Sequence, residues 1–220
     1  MEQLTEPTWF IDSESPAIDA FVERAVGQQA GDDETSRAVA LFLAVRDQIR
    51  YDPYSISTDP GDYRASAVAI AGSNWCVPKA VLLTAAARHV GIPARLGFAD
   101  VRNHLTSEKL TAAMGTDLFA WHGFSELRLN GRWFKVSSAF NVELCERIGA
   151  KVLEFDGTAD ALMHPFDEAG HRHMEYVAQR GTFDDLPLDR ILTDFAEIYP
   201  GLVAAAASPC DDVFDPSPDR

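Results

Sequence analysis

Apolar residues in the first quarter of the chain recur with helical spacing, and polar breaks separate them. Ser15 followed by Pro16 is typical of a helix start, because serine caps the first turn and proline is tolerated there. A second helix should begin near Asp33 and end before Pro53, which a helix cannot continue through. Its broad apolar stripe consists of Val39, Leu41, Phe42, Val45 and Ile49. We therefore predict two helices within residues 15–52.

A central helix is predicted within residues 74–95, which read NWCVPKAVLLTAAARHVGIPAR. Pro78 suits its first turn, and Gly91 followed by Pro93 is typical of its end. The many small residues between them favour close packing on several sides. The helix should cover about residues 77–90, with Cys76 at its start.

Strand periodicity dominates the next part of the chain. The run ARLGFADV, residues 94–101, predicts one strand, and FAWHGFSELRLNGRWFKVSS, residues 119–138, predicts two more. Asn130-Gly131 is a strong two-residue hairpin turn, so counting outward pairs Leu129 with Arg132 and Ser125 with Val136. Helices followed by strands indicate an α+β fold, with an antiparallel sheet packed against the central helix. An amphipathic helix is expected again before Pro200.

Length and charge narrow the class of protein. The 220 residues suffice for one domain, expected at residues 1–205 with a flexible tail at 206–220. The net charge of −15 argues against nucleic acid and anionic membranes as partners. The N-terminus lacks the pattern of a signal peptide, and no apolar run is long enough to span a bilayer. Cys76, Cys145 and Cys210 lack metal-ligand spacing, and their sparse, odd number favours a cytoplasmic protein without disulfides or a metal.

Cys76 and His122 are the candidate chemical groups. A thiol at a helix N-terminus feels the macrodipole and free N–H groups, so its pKa should fall below ~8.5 and favour a nucleophilic thiolate. A buried cysteine with only a packing role is the competing interpretation. His122, on a predicted strand, is the usual type of partner that accepts and returns the thiol proton.

These segments resemble the transglutaminase-like superfamily, whose members share a papain-like Cys-His-Asp core. The resemblance rests on Cys76 opening a small-residue helix, on GIPAR at residues 91–95, and on the His122 strand with Trp133 after its turn. It covers about residues 38–141 and implies a cysteine enzyme with a thioester intermediate. Glu126 matches the family's glutamate, for which a cross-strand salt bridge is the expected role.

The third catalytic position departs from the family pattern. Ser137 stands where the resemblance implies an aspartate, and its hydroxyl can orient the His122 ring without supplying charge. Asn141 is the second choice, since papain-like proteases use an asparagine in this role. We predict a bond from the distal nitrogen of His122 to Ser137, or to a water that Ser137 holds.

Two tryptophans and three histidines complete the set of candidates. Trp75 and Trp121 precede the two catalytic candidates and could line a narrow acyl-binding slot, although core packing is the commoner role of such residues. The backbone N–H of Cys76 is the expected first oxyanion donor. A metal site is a weak hypothesis, because no zinc motif matches the spacing of the three histidines, His164, His171 and His173. No cofactor is expected.

The sequence thus favours a cysteine enzyme that acts on a peptide or protein amide bond. Hydrolysis is preferred over acyl transfer, because water needs no second binding site. A non-catalytic binding module with the same fold is the alternative, and Ser137 is its best support. A metal-dependent hydrolase built on the three histidines is the third hypothesis.

Overall fold

The computed structural model describes residues 4–27, 31 and 33–201. The predicted tail at 206–220 and Cys210 lie outside these residues. Seven helices are described: α1 (Pro16–Val26), α2 (Glu34–Gln48), α3 (Ala65–Val68), α4 (Cys76–His89), α5 (Glu108–Met114), α6 (Val142–Ile148) and α7 (Leu188–Ile198). The described strands are β1 (Arg50–Tyr51), β2 (Ser73–Asn74), β3 (Ala94–Asn103), β4 (Leu118–Leu129), β5 (Arg132–Val136) and β6 (Met174–Phe183).

The helix ends follow the sequence signals. Ser15 caps α1 by accepting a hydrogen bond from the Ile18 N–H, and Asp33 caps α2 by accepting one from the Ser36 N–H. The chain leaves α4 through Gly91, which adopts a left-handed φ of 79° that glycine tolerates without strain. The predicted bounds of α1, α2 and α4 are therefore confirmed.

The main sheet has four antiparallel strands in the order β5-β4-β3-β6. The predicted hairpin register is confirmed, with Leu129 opposite Arg132, Leu127 opposite Phe134 and Ser125 opposite Val136. Strand β6 was not predicted, because it lies at the edge of the sheet and only Met174 among its residues is buried. An edge strand without an apolar face carries no alternating pattern to detect.

Helix α4 forms the centre of the molecule. It packs on β3 and β4 and also contacts α1, α2 and α3, so every residue from Cys76 to Arg88 is buried. Two of these residues are charged, and each donates to carbonyl oxygens of neighbouring segments. Lys79 donates to the Arg46 and Ile49 carbonyls at the end of α2, and Arg88 donates to the Ala94 carbonyl. The α+β arrangement of helices on an antiparallel sheet is the one predicted from the sequence.

Over residues 4–27, 31 and 33–201, no helix combines the length and the apolar character that crossing a membrane would require.

Candidate active site

Cys76 is the first residue of α4, as predicted. Trp75 precedes it in an extended conformation, with φ −90° and ψ 179°, so the chain turns into the helix at the cysteine itself. Pro78 lies in the first turn, where its missing N–H costs no intrahelical hydrogen bond. Only 7% of Cys76 is exposed. The sulfur therefore lies at the N-terminus of a buried helix.

Strand β4 approaches this helix start closely because residue 123 is a glycine. A β-carbon on Gly123 would lie 3.0 Å from the Val77 Cα and 3.4 Å from the Cys76 carbonyl oxygen. Side chains fix the same strand two residues later, where Ser125 Oγ donates to the Ala80 carbonyl and accepts from Thr84 Oγ1. These contacts set the position of β4, and hence of His122, relative to α4.

His122 and Cys76 line the same pocket. Apolar side chains from several elements form its other walls, among them Ile56, Leu110, Met114, Phe119 and Phe195. The pocket is narrow, with a cavity of about 40 Å³, which is room for little more than one water molecule. The two residues that the sequence proposed as a catalytic pair thus share one narrow, apolar pocket.

Burial keeps both members of this pair neutral. Desolvation raises the pKa of the Cys76 thiol to about 11, although the backbone N–H groups of Gly123, Cys76 and Val77 act in the opposite direction. Desolvation lowers the pKa of His122 to about 4. The prediction of a depressed thiol pKa is therefore wrong for this buried thiol, because the loss of hydration outweighs the N–H groups of β4 and of the helix start.

The predicted direct hydrogen bond between His122 and Ser137 is not formed. His122 Nε2 and Ser137 Oγ are both buried, and neither has a hydrogen-bond partner in the described part of the chain. The ladder between β4 and β5 ends at Ser125 and Val136, and the Ser137 N–H donates instead to the Ala161 carbonyl. The register that predicted the bond therefore does not extend to residue 137.

Asn141, the second choice for orienting His122, has a different contact. Its Oδ1 accepts a hydrogen bond of 3.1 Å from the Tyr51 N–H. Tyr51 also packs edge-on against Phe140 and is one of the residues lining the pocket. Asn141 thereby holds a wall of the pocket.

Glu126 forms the predicted cross-strand salt bridge. It lies opposite Arg95 on β3, and its Oε2 is 2.7 Å from Arg95 Nη2. The Arg95 guanidinium also lies over the Trp133 ring, at 4.5 Å from the ring centre. These residues stabilise the pairing of β3 and β4.

The two tryptophans have different surroundings. Trp75 lines the pocket, and its Nε1 is buried with no hydrogen-bond partner among the described residues. Trp121 is not among the residues that line this pocket and packs against Phe98 and Phe183 instead. Trp121 is buried in the core in this structure, and its role as a wall of the slot stays a prediction.

Trp121 forms a backbone irregularity directly before His122. Its φ is 58°, which is rare for a large residue, and the pairing of β3 with β4 shifts register there. The Trp121 N–H donates to Asp100 Oδ1, its Nε1 donates to Asp194 Oδ2, and Arg180 forms salt bridges with both carboxylates. This clamp holds the unusual conformation and so fixes the direction in which β4 presents His122.

Two tyrosines near the site were missed in the sequence. Tyr199 OH accepts a hydrogen bond from the Ala120 N–H and donates to the Leu118 carbonyl, so α7 supports β4 beside the pocket. Tyr176 on β6 packs edge-on against the His122 ring, at 6.4 Å between ring centres. Both come from segments after residue 142, to which no local pattern assigned a role.

The three histidines of the weak metal hypothesis differ in their surroundings. His173 is buried and stacks on Phe140, whereas His171 is exposed and contacts Asp167 through Nδ1 at 3.2 Å. Among the residues that the structure describes, no group of three or more His, Cys, Asp or Glu side chains is arranged to hold a metal ion.

Comparison with known proteins, structures and families gives three findings. No curated protein matches the sequence. A crystal structure from Cytophaga hutchinsonii, described as a "putative cysteine protease", is 15% identical and superposes with a TM-score of 0.49. The match covers 83% of this chain and 46% of the Cytophaga chain, so this chain spans less than half of the length of that protein.

Residues 22–138, just over half of the chain, match the family described as the Transglutaminase-like superfamily and include both Cys76 and His122. The chain therefore belongs to the transglutaminase-like superfamily.

Proposed function

We propose that the protein is a cysteine hydrolase that cleaves amide or peptide bonds through a thioester on Cys76. The observation that supports it most directly is the shared pocket of Cys76 and His122, with the thiol at the start of a buried helix. Membership of a superfamily of mostly cysteine enzymes agrees with this arrangement but does not define the reaction.

In the first half-reaction, Cys76 Sγ attacks the substrate carbonyl carbon as His122 accepts the thiol proton. The C–S bond forms, and the carbonyl oxygen takes up the negative charge. The Cys76 backbone N–H is the first donor for this oxyanion, and the buried, unpartnered Trp75 Nε1 is the candidate second donor. Collapse of the intermediate breaks the C–N bond, and His122 gives its proton to the leaving amine.

In the second half-reaction, water attacks the thioester carbonyl while His122 accepts a proton from it. The C–S bond breaks, the proton returns to the sulfur, and the carboxylic acid leaves. Water suits the narrow pocket, because an amine acceptor would need additional space beside the acyl group. Hydrolysis is therefore preferred over transfer to an amine.

The neutral resting pair determines how the cycle begins. With a thiol pKa of about 11 and an imidazole pKa of about 4, both groups are uncharged near neutral pH. The thiol proton then moves to His122 during attack, as in general-base catalysis, and no preformed ion pair is needed.

The test uses a defined peptide library with mass-spectrometric mapping of new termini and of acyl adducts on Cys76. The wild-type protein should yield cleavage products, Cys76→Ala should yield none, and His122→Ala should lose about 100-fold or more in rate. Cys145→Ala is the matched control, because Cys145 is a buried free thiol that does not line the pocket. Cleavage retained in Cys76→Ala, or a large fall in its melting temperature, would assign the thiol to the core instead.

One observation favours a non-catalytic binding module as the second candidate. Ser137 replaces the family's aspartate, and neither its hydroxyl nor His122 Nε2 has a hydrogen-bond partner within the described residues. A module of this kind would bind peptides from the same library without cleaving them. It would leave no acyl adduct on Cys76, whereas every covalent step of the enzyme depends on His122.

A further inference from the structure

The walls of the Cys76 pocket suggest which substrates can enter it. Apart from Cys76 and His122, its described lining consists of apolar and aromatic residues, and none of them carries a charged side chain. Few polar atoms face it. The Tyr199 hydroxyl is already bonded to the backbone of β4, and the buried Trp75 Nε1 is the donor proposed for the oxyanion. A charged or amide side chain in this pocket would lose its hydration without gaining a charged partner.

Helix α5 forms a wall of the pocket that can move when a ligand binds. Leu110 and Met114 are its only buried residues, they lie four positions apart on one helix face, and both line the pocket. The two side chains that hold α5 against the rest of the protein are therefore also the ones that fill the pocket. An apolar ligand group can take over these contacts, and the flexible side chain of Met114 can move to accommodate its shape.

We propose that this pocket is the acyl-side specificity site, and that it accepts substrates with an aliphatic or aromatic side chain beside the scissile carbonyl. The inference rests on the proposed function, because it takes Cys76 as the nucleophile. The cavity of about 40 Å³ is too small for such a side chain, so Leu110 and Met114 move outward when the substrate binds. Carboxylate, ammonium and carboxamide side chains are rejected, because the described walls carry no charged side chain to offset their desolvation and the oxyanion takes up the Trp75 Nε1 donor.

The test uses five acyloxymethyl ketones that differ only in the side chain next to the ketone: leucine, phenylalanine, glutamine, glutamate and lysine. Cys76 Sγ displaces the carboxylate group, so that a C–S bond forms, a C–O bond breaks and the thiol proton passes through His122 to solvent. The rate constant for labelling is measured by intact mass, and the labelled residue by peptide mapping. The leucine or phenylalanine probe should react about 100-fold faster than the glutamate and lysine probes and about tenfold faster than the glutamine probe.

Two variants of α5 test the wall directly. Met114→Glu should abolish the preference for apolar probes, whereas Ala112→Glu places the same charge on the exposed face of the helix and should leave it unchanged. Met114→Ala enlarges the pocket. It should raise the labelling rate of the phenylalanine probe relative to that of the leucine probe severalfold. If circular dichroism shows that Met114→Glu does not fold, the ratio of phenylalanine-probe to leucine-probe labelling rates in Met114→Ala tests the proposal instead.

The results separate this inference from the proposed function. Labelling of Cys76 that requires His122 but favours the glutamine, glutamate or lysine probe, or shows no preference, would overturn the apolar site alone. An unchanged ratio in Met114→Ala would overturn it as well. Labelling no faster than that of a free thiol, with no effect of His122→Ala, would overturn the proposed enzyme and this inference with it.

Discussion

Burial governs the charge of the two candidate catalytic residues. Cys76 and His122 are 7% and 4% exposed, and desolvation shifts each pKa toward the neutral form. The backbone N–H groups at the start of α4 oppose this shift for the thiol without reversing it. At this buried position, the helix start orients the sulfur but does not ionise it.

The first prediction concerns the alkylation of Cys76 by iodoacetamide. With a pKa of about 11, the thiolate fraction at pH 8 is two orders of magnitude below that of a free thiol. A thiolate of higher pKa is a stronger nucleophile, which offsets part of the loss in thiolate concentration. Cys76 should therefore react about tenfold more slowly than a peptide cysteine. The rate should climb up to about pH 11, and peptide mapping separates Cys76 from Cys145. A plateau below pH 7 would show that the thiolate forms in the resting protein.

The second prediction concerns the missing carboxylate. Ser137→Asp should raise activity at neutral pH by about tenfold, because a carboxylate at the family's aspartate position is expected to raise the imidazole pKa and stabilise the imidazolium. The melting temperature should fall, because Ser137 is only 1% exposed and the new carboxylate would be buried. Rates and melting curves of the purified variant check both parts.

Ser138→Asp is the matched control for this change. Ser138 is the next residue, and its hydroxyl is likewise buried without a partner among the described residues. The same charge there should reduce stability without increasing activity. A Ser137→Asp variant that folds but is less active, together with an Asn141→Ala variant that is inactive, would identify Asn141 as the orienting residue.

At the scale of elements, the site depends on how closely β4 approaches the start of α4. Gly123 permits the approach, and the hydrogen bonds of Ser125 to Ala80 and Thr84 align the strand with the helix. On the other side of His122, the clamp of Asp100, Arg180 and Asp194 holds Trp121 at its positive φ. The residues flanking His122 thus fix the position of its backbone.

The third prediction tests the close approach. Gly123→Ala should cost about 1–3 kcal/mol of stability, because its β-carbon would lie 3.0 Å from the Val77 Cα and the strand must move away. Labelling of Cys76 should slow at the same time, since His122 moves with the strand. Chemical denaturation and the ketone probes measure the two effects.

Gly72→Ala provides the comparison, because a β-carbon there meets no heavy atom within 4 Å. It should change stability by no more than about 0.5 kcal/mol. Equal effects of the two substitutions would mean that the general loss of a glycine, and not the helix contact, causes the change.

At the scale of the whole molecule, the net charge of −15 produces repulsion across the surface. The fourth prediction is that stability rises with salt, because ions screen this repulsion with a Debye length that falls from about 30 Å at 0.01 M to about 10 Å at 0.1 M. Urea denaturation at several NaCl concentrations measures it, since urea adds no ions. A free energy of unfolding that stays constant or falls with salt would show that attractive ion pairs dominate.

The elements that could be predicted from sequence are those with strong local signals. Caps, prolines and apolar stripes marked α1, α2 and α4, and the Asn130-Gly131 turn gave the register of β4 and β5 down to individual pairs. Cys76 and His122 were identified on the same grounds, since each lies at a recognisable point of an element. Strand β6 has no such signal, because its residues face mostly outward at an edge of the sheet.

The sequence by itself determined the α+β class, the central helix with Cys76 at its start, and the hairpin strand that carries His122. These features depend on interactions between residues that are close along the chain. Only the tertiary structure decided the pocket, its apolar walls from α5 and α7, the neutral state of the pair and the packing of Trp121 against Phe98 and Phe183. Each of these features depends on segments that are far apart in the chain and together exclude water from the site. The spacing of residues along the sequence does not show which segments will do so.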